Sequence, residues 1–439
     1  MILRLTLAAI AFAATLAAPL RAEIAIQEVT SPGGIKAWLV EDHNIPFMAL
    51  EIRFRGGTSL DQPGKRGAVN LMTATLEEGA GDLDAQGFAA ARDGLAARIG
   101  FGANSDEVSI SVQALSENRA EAMDLLRLAL TEPRFDAEAV ERVKGQILAG
   151  LRADERDPSA IAARLARARS YGDHPYGSAG DGTTDSVTAL TRDDVLAAWQ
   201  GAMARDRVYV AAAGDITADE LGLLLDKLLS DLPETGWPLP PPATLNTAGG
   251  LFVEPFPGPQ SVVLFGHGGI AFDDPDFFAA SLLNDILGGG RFSARLMSEV
   301  RDKRGLTYGI GTGLSVRDLS AEWMGQFQAS NDKVAEAITV VRAEWARMAA
   351  GEITETDLAT AKTYMTGAYP LRFDGNDAIA NILVGMQMLG LPSDYPKTRN
   401  DKVNAVTLDD LKRVAARLLK PDDLFFTVVG QPEGLTSSE

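Results

Sequence analysis

Residues 287–308, LGGGRFSARLMSEVRDKRGLTY, are the stretch from which the rest of the chain can be read. Gly288, Gly289 and Gly290 precede a short helix whose apolar side is Leu296, Met297 and Val300, an i, i+1, i+4 stripe. Lys303 and Arg304 fall in its last turn, where cations suit the negative end of the helix dipole. Gly305 stands where a left-handed C-terminal cap is expected. Leu306, Thr307 and Tyr308 then read as the start of a strand. This arrangement puts Arg301 near a helix end and Tyr308 at a strand entry, so a guanidinium and a phenol are able to converge on one carbonyl or oxyanion. The local residues leave a plainer reading open, in which Arg301 compensates the dipole and Tyr308 is an ordinary strand aromatic. No P-loop lysine pattern comes after the three glycines, so they read as a flexible loop and not as a phosphate cradle.

The composition narrows the field. The chain has 439 residues, of which 46% are hydrophobic and 23% charged, enough apolar material for a sizeable core. A net charge of −19, spread along the chain, argues against nucleic acid or an anionic membrane as partner. There is no cysteine, which removes disulfides, thiolate metal sites and a cysteine nucleophile. The three histidines, His43, His174 and His267, are at least 93 residues apart and form no local metal motif. Arg4, an apolar run over 5–19 and Ala22 read as a secretory leader. That run is too short for a membrane span, and no later stretch qualifies. The expectation is an exported protein, periplasmic or secreted.

Taken in order, residues 35–41 and 47–54 read as strands joined by a turn around His43. Next come helices over 67–78 and 84–98, a strand over 107–114, and helices over 118–130 and 137–152. Asp173, His174, Pro175, Tyr176 and Gly177 form a turn, Thr191 and Asp194 a capping box, and 207–213 a strand. Five prolines at 233, 238, 240, 241 and 242 then mark a stiff linker. The chain after the linker repeats the chain before it. Thr407-Leu408-Asp409-Asp410 matches Thr191-Arg192-Asp193-Asp194 at an offset of 216, as Gly430 matches Gly214. Ala335-Glu336-Ala337-Ile338 matches Ala120-Glu121-Ala122-Met123, and Gln328-Ala329 matches Gln113-Ala114, both at 215. Matches in constant order and spacing mean a duplicated α+β unit of about 200 residues. The expected fold is therefore α+β: two homologous domains, each an antiparallel-rich sheet packed with helices, facing each other across a chamber.

With these features in hand, the chain resembles the pitrilysin/insulinase family of zinc peptidases, the inverzincins. Within that family it resembles the short two-domain bacterial members and the mitochondrial processing peptidase subunits. The resemblance rests on the strand–turn–strand over 41–54, Gly56-Gly57 with Asp61-Gln62-Pro63-Gly64-Lys65 and Gly67, the His174-Pro175-Tyr176-Gly177 turn, the linker and residues 288–308. It implies an N-terminal domain over 23–235 after a leader over 1–22, a linker over 236–250 and a homologous C-terminal domain over 251–439. Active members carry His-x-x-Glu-His on the helix after Gly67, two imidazoles on one helix face for zinc and a glutamate as base. Here those degenerate metal positions are Asn70, Thr73 and Ala74, and Ala149-Gly150 lies near the place of the third ligand. No metal is expected in this chain.

The family's arginine and tyrosine, seven residues apart after a glycine-rich loop, are present as Arg301 and Tyr308. The resemblance implies that they bind the substrate backbone and steady the oxyanion over zinc, with Gly288, Gly289 and Gly290 letting the substrate pass. It also implies that peptide adds as an edge strand near Asn104-Ser105. The expected function is that of a non-zinc subunit of an exported heterodimeric metallopeptidase, inactive alone. Its partners are a zinc-bearing homologous subunit, which holds the zinc, and unfolded peptides. The alternative is an inactive peptide-binding or scaffolding homologue acting alone or as a homodimer. An autonomous hydrolase of other chemistry lacks any Gly-x-Ser-x-Gly elbow or histidine with a serine and carboxylate context.

Overall fold

The computed structural model describes residues 24–246 and 248–438; the leader expected over 1–22 lies outside the described residues. The first half supplies β1 (Gln27–Thr30), β2 (Lys36–Glu41), β3 (Phe47–Arg55), a short hairpin of β4 (Gly79–Ala80) and β5 (Leu83–Asp84), then β6 (Arg98–Ala103), β7 (Glu107–Leu115) and β8 (Val208–Gly214). Six of these form a sheet in the order β1-β2-β8-β3-β7-β6. The second half supplies β9 (Gly250–Pro255), β10 (Gln260–Gly268), β11 (Ile310–Val316), β12 (Ala321–Ser330) and β13 (Phe425–Gly430). Their sheet runs β11-β12-β10-β13-β9. Taken from its other edge, it repeats β2-β8-β3-β7-β6 strand for strand. Even the parallel pair recurs, as β2 with β8 and β9 with β13. Two homologous domains emerge from topology as they did from the spaced matches.

Alternation explains the layers. Met48, Leu50, Ile52 and Phe54 of β3 turn to one side and are fully buried in the first core. Val263 and Phe265 of β10 do the same in the second. Both capping boxes form, with Thr191 and Thr407 accepting from the backbone of Asp194 and Asp410. Five helices place the site: α1 (Ala68–Thr75), α2 (Ala137–Asp154), α3 (Pro158–Tyr171), α4 (Phe277–Gly288) and α5 (Asn376–Met388).

The opposite faces of the sheets are shared between domains. Helix α3 leaves the first domain and buries Ile161 and Ala162 against Val262 and Val429 of the second sheet. Helix α5 returns the exchange, burying Ala380 against Ala49 and Ala213, and Leu383 and Val384 against Ala211. The small alanines let the α5 backbone come close. Polar groups fix its register: Gln387 donates to the Val210 carbonyl at 2.7 Å, and Arg53 donates to Asn381 at 2.8 Å. Each of Leu383 and Val384 contributes about 1.5–3 kcal/mol by burial, so the exchange joins the two halves firmly.

Two expectations need correction. The helix expected over 84–98 stops at Gly94, and Arg98 opens β6. Ala96 turns left-handed (φ 49°) and ends the helix, while Gly100 and Gly102 disguise the strand after it. The strand expected from Leu306 starts at Ile310. Thr307 is the reason: its hydroxyl donates to the Gln328 carbonyl at 2.6 Å, taking the place of a ladder bond.

Candidate functional site

Helix α1 is well built but carries no metal chemistry. The Asp61 carboxylate accepts from the backbone of Gly67 and Val69, both at 2.8 Å, and Gly67 takes the left-handed turn (φ 96°) that starts the helix. Thr73 is buried and its hydroxyl donates to the Asn70 carbonyl at 2.9 Å. Asn70, Thr73 and Ala74 offer neither imidazole nor carboxylate. On the neighbouring α2, Ala149 and Gly150 are exposed and equally empty of ligands. Among the described residues no three of His, Asp or Glu gather as a metal site. The residues present do not fit a zinc ion.

The histidines are engaged elsewhere. His43 lies between Asp215 at 2.5 Å and Glu41 at 2.8 Å. His174 donates from Nε2 to the Pro241 carbonyl at 3.0 Å, tying its turn to the linker. His267 is buried; its Nδ1 donates to Gly268 and its Nε2 accepts from the Trp345 indole at 2.9 Å. Burial holds its pKa below the ordinary value, which suits that neutral ring.

The residues of 288–308 line or flank a groove of about 940 Å³ on the open face of the second sheet. Its floor is Gly309 just before β11 and Gly311 and Gly313 along it, with Gln326 and Gln328 of β12 beside them. Ser159 and Ala163 of α3 form one wall and Gly288, Gly289 and Gly290 the other. Gly288 must be glycine because a Cβ would lie 2.6 Å from the Thr312 hydroxyl, and Gly290 takes φ 84°. Tyr308 stands at the groove mouth, 90% exposed. Leu296, Met297 and Val300 are buried as the stripe required, but the helix they anchor is a π-helix, Met297–Asp302. The Lys303 amide donates to Ser298 at 2.9 Å, and Gly305 makes the left-handed cap (φ 60°). Single π-turns occur frequently at functional sites. Arg301 sits on this turn, pairs with Asp302 at 2.8 Å and lies 5.1 Å over the ring of Phe292, itself 70% exposed. It flanks the groove and does not line it.

The segment Asn104-Ser105 is not a free edge. Its carbonyls accept from Thr58 and Ser59 at 2.8 and 3.2 Å. The edge of the first sheet on this side is β6. Here glycines again alternate, at 100 and 102, as they do at 309, 311 and 313 before and along β11, the corresponding edge of the second sheet. Alternating glycine on an edge strand leaves a bare face where another backbone can approach. That signal was readable in the sequence.

Tyr176, whose role the sequence hid, joins the domains. The hairpin between β11 and β12 reaches into the first domain, where the Tyr176 hydroxyl accepts the Leu319 amide at 3.2 Å and donates to Asp106. Arg55 pairs with Asp318 at 2.9 Å, and the Ala243 amide of the linker donates to Leu319 at 2.8 Å.

A duplicated, helix-exchanged fold with an open groove, in which Asn70, Thr73 and Ala74 do not fit zinc, has the build of a peptidase-like protein with a degenerate metal motif. The sequence pattern of the family described as "Peptidase M16 inactive domain" matches residues 189–365. The "Non-peptidase homolog YmxG" of Helicobacter pylori is 25% identical over 404 residues, covering 89% of this chain and 90% of that one. An uncharacterized zinc protease of Streptomyces coelicolor is 24% identical over 404 residues, 90% of this chain and 87% of its own. The crystal structure of a peptidase M16 inactive domain from Pseudomonas fluorescens superposes with a TM-score of 0.87 at 29% identity, covering 94% of this chain and all of that one. By these comparisons the chain is similar over most of its length to M16 peptidase homologues, and it fits an inactive member without the zinc motif.

Proposed function

We propose that this chain is the non-zinc subunit of an exported heterodimeric zinc peptidase. A zinc-bearing homologue supplies metal and base. This chain holds the unfolded peptide and supplies Arg301 and Tyr308 to the partner's centre. The observation that carries the reading is the contrast between the two sites: Asn70, Thr73 and Ala74 have no metal chemistry, while Arg301 and Tyr308 stand at an open groove. Tyr308 at 90% exposure has no packing task in the chain itself. A guanidinium and a phenol aimed at a carbonyl that is becoming an oxyanion act as preorganised donors. The leader over 1–22 is the ground for export.

The test is copurification of the tagged chain with a homologue, and then peptide cleavage with and without chelator. Arg301→Ala is expected to lower turnover of the assembled pair about 10²–10³-fold while the pair still forms. Unchanged turnover sinks the assigned role. The Helicobacter relative's description as a non-peptidase homologue favours a second reading, a peptide-binding or scaffolding protein acting alone or as a homodimer. A lone chain that binds peptide, with no partner and no cleavage, establishes that reading instead.

A further inference from the structure

The two ends of the groove differ in chemistry. Tyr308 and the glycines stand at one end. Towards the other, Ser159 and Ala163 on α3 are succeeded at the same i+4 spacing by Arg167. Gly311 and Gly313 on β11 are succeeded at the same strand alternation by Arg317. Helix α3 packs on β10, where Ile161 and Leu165 share a cluster with Val262 and Leu264. Strand β10 runs the same way as β11 because both are antiparallel to β12, and Tyr171 at the end of α3 lies under Arg317. Both arginines are therefore carried to the far end.

There the Arg317 guanidinium is stacked on Tyr171 at 5.8 Å and Tyr176 at 5.1 Å, which fixes its position. Its Nη1 and the Nε of Arg167 are buried without a hydrogen-bond partner. Neither arginine forms an ion pair within 4 Å among the described residues. The acids around this cluster include Glu322, beside Tyr171, Asp181, which acts on Arg167, and Asp318, next to Arg317 in the chain and paired with Arg55. Burial, and then the positive charge of Arg317, hold the pKa of Arg167 below the usual arginine value. Buried donors without acceptors are costly, and two guanidiniums side by side call for an anion.

We propose that this end of the groove is a carboxylate receptor, in which Arg167 and Arg317 bind the C-terminal carboxylate of a peptide laid along the groove. Planar guanidinium forks bind carboxylates in pairs of parallel hydrogen bonds. From Tyr308 to Arg317 the strand spans roughly 30 Å at about 3.3 Å per residue, which fits an extended peptide of about nine residues. Gln326 and Gln328 offer amides to its backbone on the way. The inference rests on the peptide-binding part of the proposed function and adds a requirement for an end group.

The experiment uses the mature full chain and a pool of random decapeptides without Asp or Glu, prepared as free acids and as C-terminal amides. Retained peptides are measured by equilibrium dialysis and mass spectrometry. The free acids are expected to bind at least tenfold more tightly than the amides. Arg167→Gln and Arg317→Gln are each expected to erase that difference, with folding checked by circular dichroism. The wild-type comparison stands even if a variant does not fold. Equal binding of acid and amide overturns the carboxylate receptor and leaves peptide binding in place. No binding of either form overturns both. Amides regaining affinity through one added terminal Asp support the receptor and move the carboxylate from the chain end to a side chain.

Discussion

The Tyr176 hydroxyl stands between the domains, accepting the Leu319 amide at 3.2 Å and donating to Asp106. Burial and the Asp106 carboxylate push its pKa up, so the phenol stays protonated and both bonds persist at any ordinary pH. Tyr176→Phe keeps the ring under Arg317 but orphans the Leu319 N–H and an Asp106 oxygen. The expected cost is about 1–3 kcal/mol in denaturant unfolding. Faster proteolysis at the hairpin over 317–320 should accompany it. Wild-type stability in the variant would show that the clamp contributes nothing.

Much of this was legible in sequence because it is local or repeated. Constant offsets revealed the duplicated unit, and Leu296, Met297, Val300 and Gly305 revealed the turn that carries Arg301. What was hidden depends on distant partners. Nothing in the spacing of Ile161, Ala162 and Leu165 says that α3 packs on the other domain's sheet. Tyr176 reads as a turn aromatic until Leu319 is beside it. The edge strand β6 is hidden because alternate glycines erase the β-branched signal of a strand, and the start of β11 was displaced by Thr307. The π-turn at Arg301 leaves an ordinary helical stripe and differs only in its hydrogen bonds.

The degenerate zinc positions Asn70, Thr73 and Ala74 predict a failed reconstitution. Asn70→His with Thr73→Glu and Ala74→His restores the motif on α1. It also puts a carboxylate where Thr73 is 2% exposed, and leaves α2 without a third ligand. The triple variant is expected to lose about 1–3 kcal/mol from the buried carboxylate and to release zinc on dialysis. Adding Gly150→Glu should raise zinc affinity at least about tenfold, as a third ligand does. Stoichiometric zinc by mass spectrometry in the dialysed triple variant would contradict the assignment of α1 and α2 as a lost metal site.

His43 predicts a pH dependence. Hydrogen bonds to Asp215, then Glu41, raise its pKa above 6.5. The His43 contact lowers the pKa of Glu41, and the Ser116 hydroxyl and then His43 lower that of Asp215. Arg119 and Glu220 are the other charges facing this cluster. A raised histidine pKa stabilises fully below 6.5 and loses that contribution as pH climbs through the folded value. The carboxylates stabilise above their ordinary values of 4.5 and 3.8 and lose it as pH falls through the depressed ones. Stability should therefore plateau between these limits, and His43→Gln should flatten the decline on the alkaline side. Tracking the His43 ring proton by NMR gives the check: a midpoint at or below 6.5 removes the basis for this window.

The glycine floor of the groove separates binding from stability. Gly313 pairs across the strands with Met324, takes no left-handed φ, and a Cβ there meets nothing within 4 Å. A glycine inside a strand is therefore unfavourable by about 0.5–1 kcal/mol with no packing reason for it. A peptide backbone that needs the bare face supplies the reason. Gly313→Val should raise the unfolding midpoint, since valine suits a strand and gains Met324 as a cross-strand neighbour. It should also weaken decapeptide binding at least tenfold, because the added methyl groups stand in the path. A variant that is both more stable and equally able to bind peptide would move the binding path off this sheet face and onto β6, where Gly100 leaves the same open space.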